Sequence, residues 1–216
     1  MKVLVVGANG QIGKHLVKCI QESGHHSARA MIRSKEQAAS FEALGAETFV
    51  MDLERGVEEI TKAVRGVDAV VFTAGSGPHT GKDKTIMVDL DGAVKTIEAA
   101  QSAGVKRVIM VSSFDTRREA ILSASPSFAP YVAAKYYADE WLRATDLDYT
   151  IVHPGGLTND KGTGLVNVGV EVERGTVPRE DVANVILECL EDPATIGKEF
   201  QVVSGDTPIK EALKKM

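Results

Sequence analysis

The sequence predicts an α/β fold with a parallel sheet covered by helices on both faces. Three observations carry this. Short apolar, β-branched runs alternate with helical-period segments over the first ~150 residues. The runs are apolar on both faces, as strands between two helical layers must be. A Gly-rich turn joins the first run to the first helix.

The elements follow in order. Lys2–Val6 is a strand ending at Gly7. Residues 11–23 put Ile12, Leu16, Cys19 and Ile20 on one helical face, with Gly24 as a stop. Ser27–Ile32 is the second strand. Ser34, with Gln37 three residues on, opens a helix to residue 44 through a capping box. Residues 47–51 form a third strand, Val57–Val64 a helix, and residues 69–73 a fourth strand. Residues 84–103 carry helical spacing in Ile86, Leu90, Val94 and Ile97. Residues 107–112 and 149–153 are the fifth and sixth strands. The helix between them, 130–145, begins with Pro130. The stretch 123–130 reads as a loop.

The last third differs. Val166, Val168, Val170 and Val172 alternate with small or polar residues, the pattern of a half-exposed strand. A helix at 179–190, a strand at 199–204 and a short helix after Thr207-Pro208 complete the chain. These pieces are too few for an independent domain. One domain over 1–216 is expected, with residues of about 154–180 making a small lobe on the C-terminal edge of the sheet.

Composition narrows the function. The 216 residues carry 25 Lys plus Arg and 30 Asp plus Glu, a net charge of −5. That balance argues against a nucleic-acid partner, which needs a basic footprint. No apolar run approaches the ~18 residues of a membrane span. The apolar run Val3 to Val6 is too short for a signal-peptide core. Cys19 and Cys189 are too few for a disulfide scaffold and lie on apolar helical faces. The expectation is a cytoplasmic protein with a small-molecule substrate, as monomer or homodimer. The histidines form no ligand spacing with the cysteines, so no metal site is expected.

Gly7, Gly10 and Gly13 stand in Gly-Ala-Asn-Gly-Gln-Ile-Gly, between a strand and a helix. Glycines let backbone approach a pyrophosphate, and the helix N-terminus offers free N–H groups and a positive dipole. The candidate dinucleotide contacts here are Gly7, Asn9, Gly10, Gln11, Ile12 and Gly13. At the end of the second strand, NAD-binding folds usually carry an acid for the ribose hydroxyls. This chain has Arg33, with Ser34 and Lys35. A guanidinium there suits a 2′-phosphate, which favours NADP over NAD, though NAD stays possible. Asp52-Leu53 and Ala74-Gly75 follow the third and fourth strands, at the edge where such sheets bind ligands. Asp52 fits either an adenine contact or a turn cap.

These motifs, with Val111-Ser112-Ser113, Tyr131-x-x-x-Lys135 and Pro154-Gly155-Gly156-Leu157, resemble the short-chain dehydrogenase/reductase superfamily. The likeness is to its compact atypical branch, often labelled NAD-dependent epimerase/dehydratase-like or NAD(P)H-binding, and covers nearly the whole chain. It implies a Rossmann-like doubly wound sheet and a nicotinamide cofactor. Spacing of four puts Tyr131 and Lys135 on one helical face, where a nearby ammonium favours tyrosinate. In the family the Tyr exchanges a proton with a substrate carbonyl and the Lys also holds the nicotinamide ribose. A Ser or Thr at the end of the fifth strand binds the substrate oxygen, and Ser113 fits this better than Ser112. Ser112, Lys135, Pro154, Gly155 and Leu157 are then further cofactor contacts.

Two positions depart from the family. Asp89 stands where an Asn often supports the Lys, and His153 where compact members often carry Arg. His153 is read as a strand-end residue packed on the sheet, and 158–163 as a loop able to close over substrate. Phe114, Phe128 and Tyr137 are candidate pocket residues. The activity implied is hydride transfer between NADP(H) and a small carbonyl or quinone-like compound. The alternatives are a nucleotide-sugar epimerase or dehydratase with bound NAD, and a non-catalytic redox sensor like the NmrA-like regulators.

Overall fold

The computed structural model describes residues 1–77 and 79–216. The strands are β1 (Lys2–Val6), β2 (Ser27–Ile32), β3 (Glu47–Val50), β4 (Ala69–Phe72), β5 (Arg107–Val111) and β6 (Asp148–Pro154). They continue as β7 (Gly156–Thr158), β8 (Leu165–Gly169), β9 (Thr176–Pro178), β10 (Lys198–Ser204) and β11 (Thr207–Pro208). Among the described residues, nine of them form one sheet in the order β11-β8-β10-β6-β5-β4-β1-β2-β3. From β3 to β10 every neighbour is parallel. β8 pairs antiparallel with β10, and its alternating exposure matches the half-exposed strand read from the valines up to Gly169. The protein therefore has a Rossmann-like α/β fold. Strand order reverses between β1 and β4, and ligands of such sheets bind at that crevice.

One face carries α1 (Gln11–Glu22), α2 (Ala38–Glu42), α8 (Arg179–Glu191) and α9 (Ile209–Lys214). Leu16, Val17 and Ile20 of α1 share a core with Val182, Val185 and Ile186 of α8, all fully buried. The other face carries α3 (Val57–Val64), α5 (Asp91–Ala103) and α7 (Ala129–Arg143). Strand side chains alternate between the two cores: Val3 and Val5 face one, Leu4 and Val6 the other. Each buried aliphatic side chain contributes about 1.5–3 kcal/mol, so the double layer accounts for most of the driving force.

The capping box is present, with Ser34 and Gln37 bonding reciprocally, though it opens a 3₁₀ turn (Lys35–Gln37) before α2. Two expectations need correction. The predicted helix over 84–103 is interrupted. After α4 (Lys82–Lys84), Thr85–Leu90 is π-helical before α5 begins. The wider turn rotates the register, so Ile86 is exposed and Asp89 is turned inward and buried. The valine alternation ends at Gly169, and Val170 is 83% exposed. The loop after the fifth strand holds a short helix, α6 (Arg118–Ser123), whose mixed composition gave no periodic signal.

Candidate functional site

The Gly-rich loop lies where β1 and β4 end side by side. Gly7 has φ +83°, and a Cβ there would meet the Ala74 backbone at 2.6 Å. A Cβ on Gly13, in the first turn of α1, would sit 2.7 Å from Ala8 O. Only glycine lets these two backbone segments close on each other. Gly10 donates its N–H to Gly7 O (2.9 Å) and leads into α1, whose N-terminus has no side-chain cap. The first-turn amides thus stay free to receive an anion. Asn9 is half-buried and Gln11 exposed at this rim, whereas Ile12 turns into the core.

Around it stand the other strand-end candidates. Arg33 is exposed, and among the described residues its guanidinium makes no hydrogen bond or ion pair. Asp52 is exposed, and its Oδ1 accepts the Glu54 N–H at 3.0 Å, so one carboxylate oxygen caps a turn. Leu53 is buried and fills the space beside Gly92 of α5, where a Cβ would meet its Cδ2 at 2.6 Å. Gly75 is exposed at the β4 end, and Ala74 half-buried.

Tyr131 and Lys135 come from α7. Lys135 is 4% exposed, donates to Val111 O at 3.1 Å, and has Asp89 Oδ1 at 3.9 Å. Asp89 is 1% exposed, and its Oδ2 accepts the Ser76 N–H at 3.0 Å. The π-helical turn therefore delivers the carboxylate that faces the lysine. The Lys135 ammonium lies 5.9 Å from the Tyr131 ring centre. Tyr131 is half-buried beside Phe128, and its hydroxyl makes no hydrogen bond among the described residues.

The two serines separate clearly. Ser112 is buried and its hydroxyl donates to Asp139 Oδ2 at 2.6 Å. Thr116 donates to the same oxygen at 2.8 Å. Ser113 is half-buried, and its hydroxyl is uncommitted among the described residues. Asp139, absent from the expected site, is fully buried with Oδ1 unpartnered. Burial pushes its carboxyl up, while His153, Ser112, Thr116 and Lys135 partly oppose the rise. Tyr131, Lys135 and Asp139 are spaced by fours, so helix periodicity was the signal available for it.

His153 is buried, as expected for a strand-end residue. Its Nδ1 lies 2.8 Å from Ser113 O and its Nε2 3.5 Å from Glu199 Oε2. Burial opposes the imidazolium, but Glu199, Asp139 and the Ser113 carbonyl outweigh it and raise its pKa. The hydrogen bond from His153, with Arg143 adding to it, holds the Glu199 carboxyl down to about 2. A cleft of about 420 Å³ opens beside them, lined by Phe114, Thr116, Arg118, Arg143 and Glu199. It flanks the far side of α7 from Tyr131. Phe114 lines it, Phe128 stands at Tyr131, and Tyr137 is held at the surface by Arg118.

The loop after β6 is used for packing. Gly155 is buried and donates to Val202 O at 2.9 Å, and a Cβ there would strike Val203. Pro154 is buried and Leu157 exposed. The 158–163 segment is anchored at its C-terminal end. Glu180 and Asp181, in the first turn of α8, accept the N–H groups of Gly162, Thr163 and Gly164 at 2.7–2.9 Å.

Residues 7–193 match the protein family described as NAD(P)H-binding. An uncharacterized sugar epimerase of Bacillus subtilis is 50% identical over 216 residues, covering both chains fully. A solved structure from Bacillus halodurans, provisionally described as an NAD-dependent epimerase/dehydratase, superposes with TM-score 0.94 at 43% identity over both full chains. An anaerobilin reductase of Escherichia coli superposes with TM-score 0.81 at 25% identity, over 95% of this chain and 98% of its own.

Proposed function

Because the chain belongs to the NAD(P)H-binding family, we propose that it is an NADP(H)-dependent oxidoreductase of the short-chain type, acting on a small carbonyl or quinone-like substrate. The observation that carries the reading is Lys135. A buried cation held by Asp89 and Val111 O, one helical turn from a half-buried tyrosine, is an expensive arrangement for a purely structural role.

The cradle of Gly7, Gly10 and the uncapped α1 N-terminus fits a dinucleotide pyrophosphate. When bound, the reduced nicotinamide supplies hydride to an electrophilic carbon. Tyr131 Oη gives its proton to the substrate oxygen, and the Lys135 ammonium stabilises the tyrosinate left behind. The free Ser113 hydroxyl orients the same oxygen. The backbone of Gly7, Asn9, Gly10, Gln11, Ile12 and Gly13 would hold the pyrophosphate, the Ile12 side chain staying in the core, and Arg33 would meet the 2′-phosphate. Asp52, Leu53, Ala74, Gly75 and Ser112 stand at the strand ends beside that cradle, and Pro154, Gly155 and Leu157 would border the nicotinamide end.

Tyr131→Phe removes only the hydroxyl. NADPH affinity and thermal stability should stay at wild-type values, while reduction of a quinone or ketone substrate falls ~100-fold or more. Wild-type turnover in that variant would sink the mechanism. The name of the Bacillus subtilis relative favours a second reading, an epimerase with retained NAD. Mass spectrometry of the protein as purified separates them: tightly held NAD supports the second, and exchangeable NADP(H) the first.

A further inference from the structure

His25 and His26 lie between α1 and β2, at the edge of the sheet opposite the Gly-rich loop. Glu191, the last residue of α8, is 166 positions from His25 in sequence, which is why spacing alone predicts no metal site. The fold brings them together. Glu191 Oε1 lies 2.8 Å from His25 Nε2 and 3.4 Å from His26 Nε2. One ligand atom from each residue falls within 4.8 Å of the others. In a tetrahedral zinc shell with bonds near 2.1 Å, ligands stand about 3.4 Å apart, so small side-chain rotations bring this trio to that spacing.

Two further observations point to a cation. The His26 side chain is 7% exposed, yet its Nε2 is buried with no hydrogen-bond partner among the described residues, and it faces the carboxylate. His25 Nδ1 lies 2.7 Å from Ser23 O and so donates to it. That outer bond is the one metal-binding histidines use to fix the tautomer and aim Nε2 outward. In the neutral ring the Nε2 lone pair would face the Glu191 oxygen at 2.8 Å, a repulsion relieved only by a proton or a cation between them.

We propose that His25 Nε2, His26 Nε2 and Glu191 Oε1 form a Zn²⁺ site, completed by water, that fastens the α1–β2 loop to the end of α8. Two imidazoles and one carboxylate suit zinc rather than magnesium or calcium, which take oxygen shells. The site lies at the sheet edge remote from the proposed catalytic groups, so its role is structural and independent of the reaction assigned above. It would staple the α1–α8 layer from outside, adding to the packing of Leu16, Val17 and Ile20 on Val182, Val185 and Ile186.

The test uses untagged protein with its own N-terminus, stripped with chelator and titrated with zinc chloride by calorimetry. One equivalent should bind, and saturating zinc should raise the melting temperature by several degrees, about what a hundredfold excess over Kd supplies. His26→Gln and Glu191→Gln should each weaken zinc at least tenfold. The exposed His25→Gln should do the same without affecting the zinc-free fold. His79→Gln and Cys19→Ser should bind as wild type. Undiminished binding in both His25→Gln and Glu191→Gln would place the cation elsewhere and overturn the proposal. So would failure to bind at millimolar zinc, which would leave the trio as a protonated histidine–glutamate contact.

Discussion

Arg33 offers an unpaired guanidinium just past the end of β2, among the described residues, at the position where an acid would select NAD. A charge-assisted contact to a phosphate is worth roughly 1.5–3 kcal/mol. Arg33→Ala should therefore weaken NADPH ~10–100-fold in calorimetric titration and leave NADH nearly unchanged. Equal losses for both cofactors would show that the arginine does not read the 2′-phosphate. Asp52 shows how a single residue divides its duties: one oxygen caps the Glu54 amide and the other remains available at the strand edge. The serine pair shows the same logic. Ser112 donates its hydroxyl to Asp139, which leaves the Ser113 hydroxyl as the uncommitted one among the described residues.

At the scale of elements, the π-helical turn at Thr85–Leu90 does what an unbroken helix could not. It turns Asp89 inward against Lys135 while Ile86 and Met87 are left at the surface. Removing one member of a buried ion pair costs ~3–5 kcal/mol, because the other charge is stranded. Asp89→Asn keeps an acceptor for the Ser76 amide but strands Lys135. Its melting temperature should fall by ~10 °C, at the ~2–4 °C per kcal/mol expected for a chain of this size. The double variant Asp89→Asn, Lys135→Met should regain much of that loss. A single variant that melts with the wild type would mean the pair contributes nothing to stability.

Across the whole molecule, Glu199 of β10 joins His153 of β6 and Arg143 of α7, the latter 56 positions earlier in the chain. Glu199 titrates at about 2 in the fold against an ordinary 4.5. Its contribution is present above pH 4.5 and is lost as pH falls toward 2. His153 is raised above its ordinary 6.5, so its contribution holds below 6.5 and is lost as pH rises through its folded value. Glu199→Gln should flatten the fall in melting temperature between pH 4.5 and 2. It should also lower the His153 midpoint seen by NMR. Acid melting curves that coincide for wild type and variant would show that this contact does not couple to stability.

The sequence alone determined what depends on near neighbours. The alternation of strands and helices, the Ser34–Gln37 capping box and the glycines at the β1–α1 turn are local signals, set by side-chain period and by backbone freedom within a few residues. The one-face placement of Tyr131 and Lys135 was legible for the same reason. Only the tertiary structure decided what depends on partners distant in the chain. Asp139 gains meaning when Ser112 and Thr116 meet it, Glu199 when β10 lies beside β6, and Glu191 when α8 docks on α1. The π-helical turn belongs with these. Its apolar spacing reads as an ordinary helix, and the extra residue per turn brings Asp89, buried, to Lys135, a contact that periodicity cannot encode.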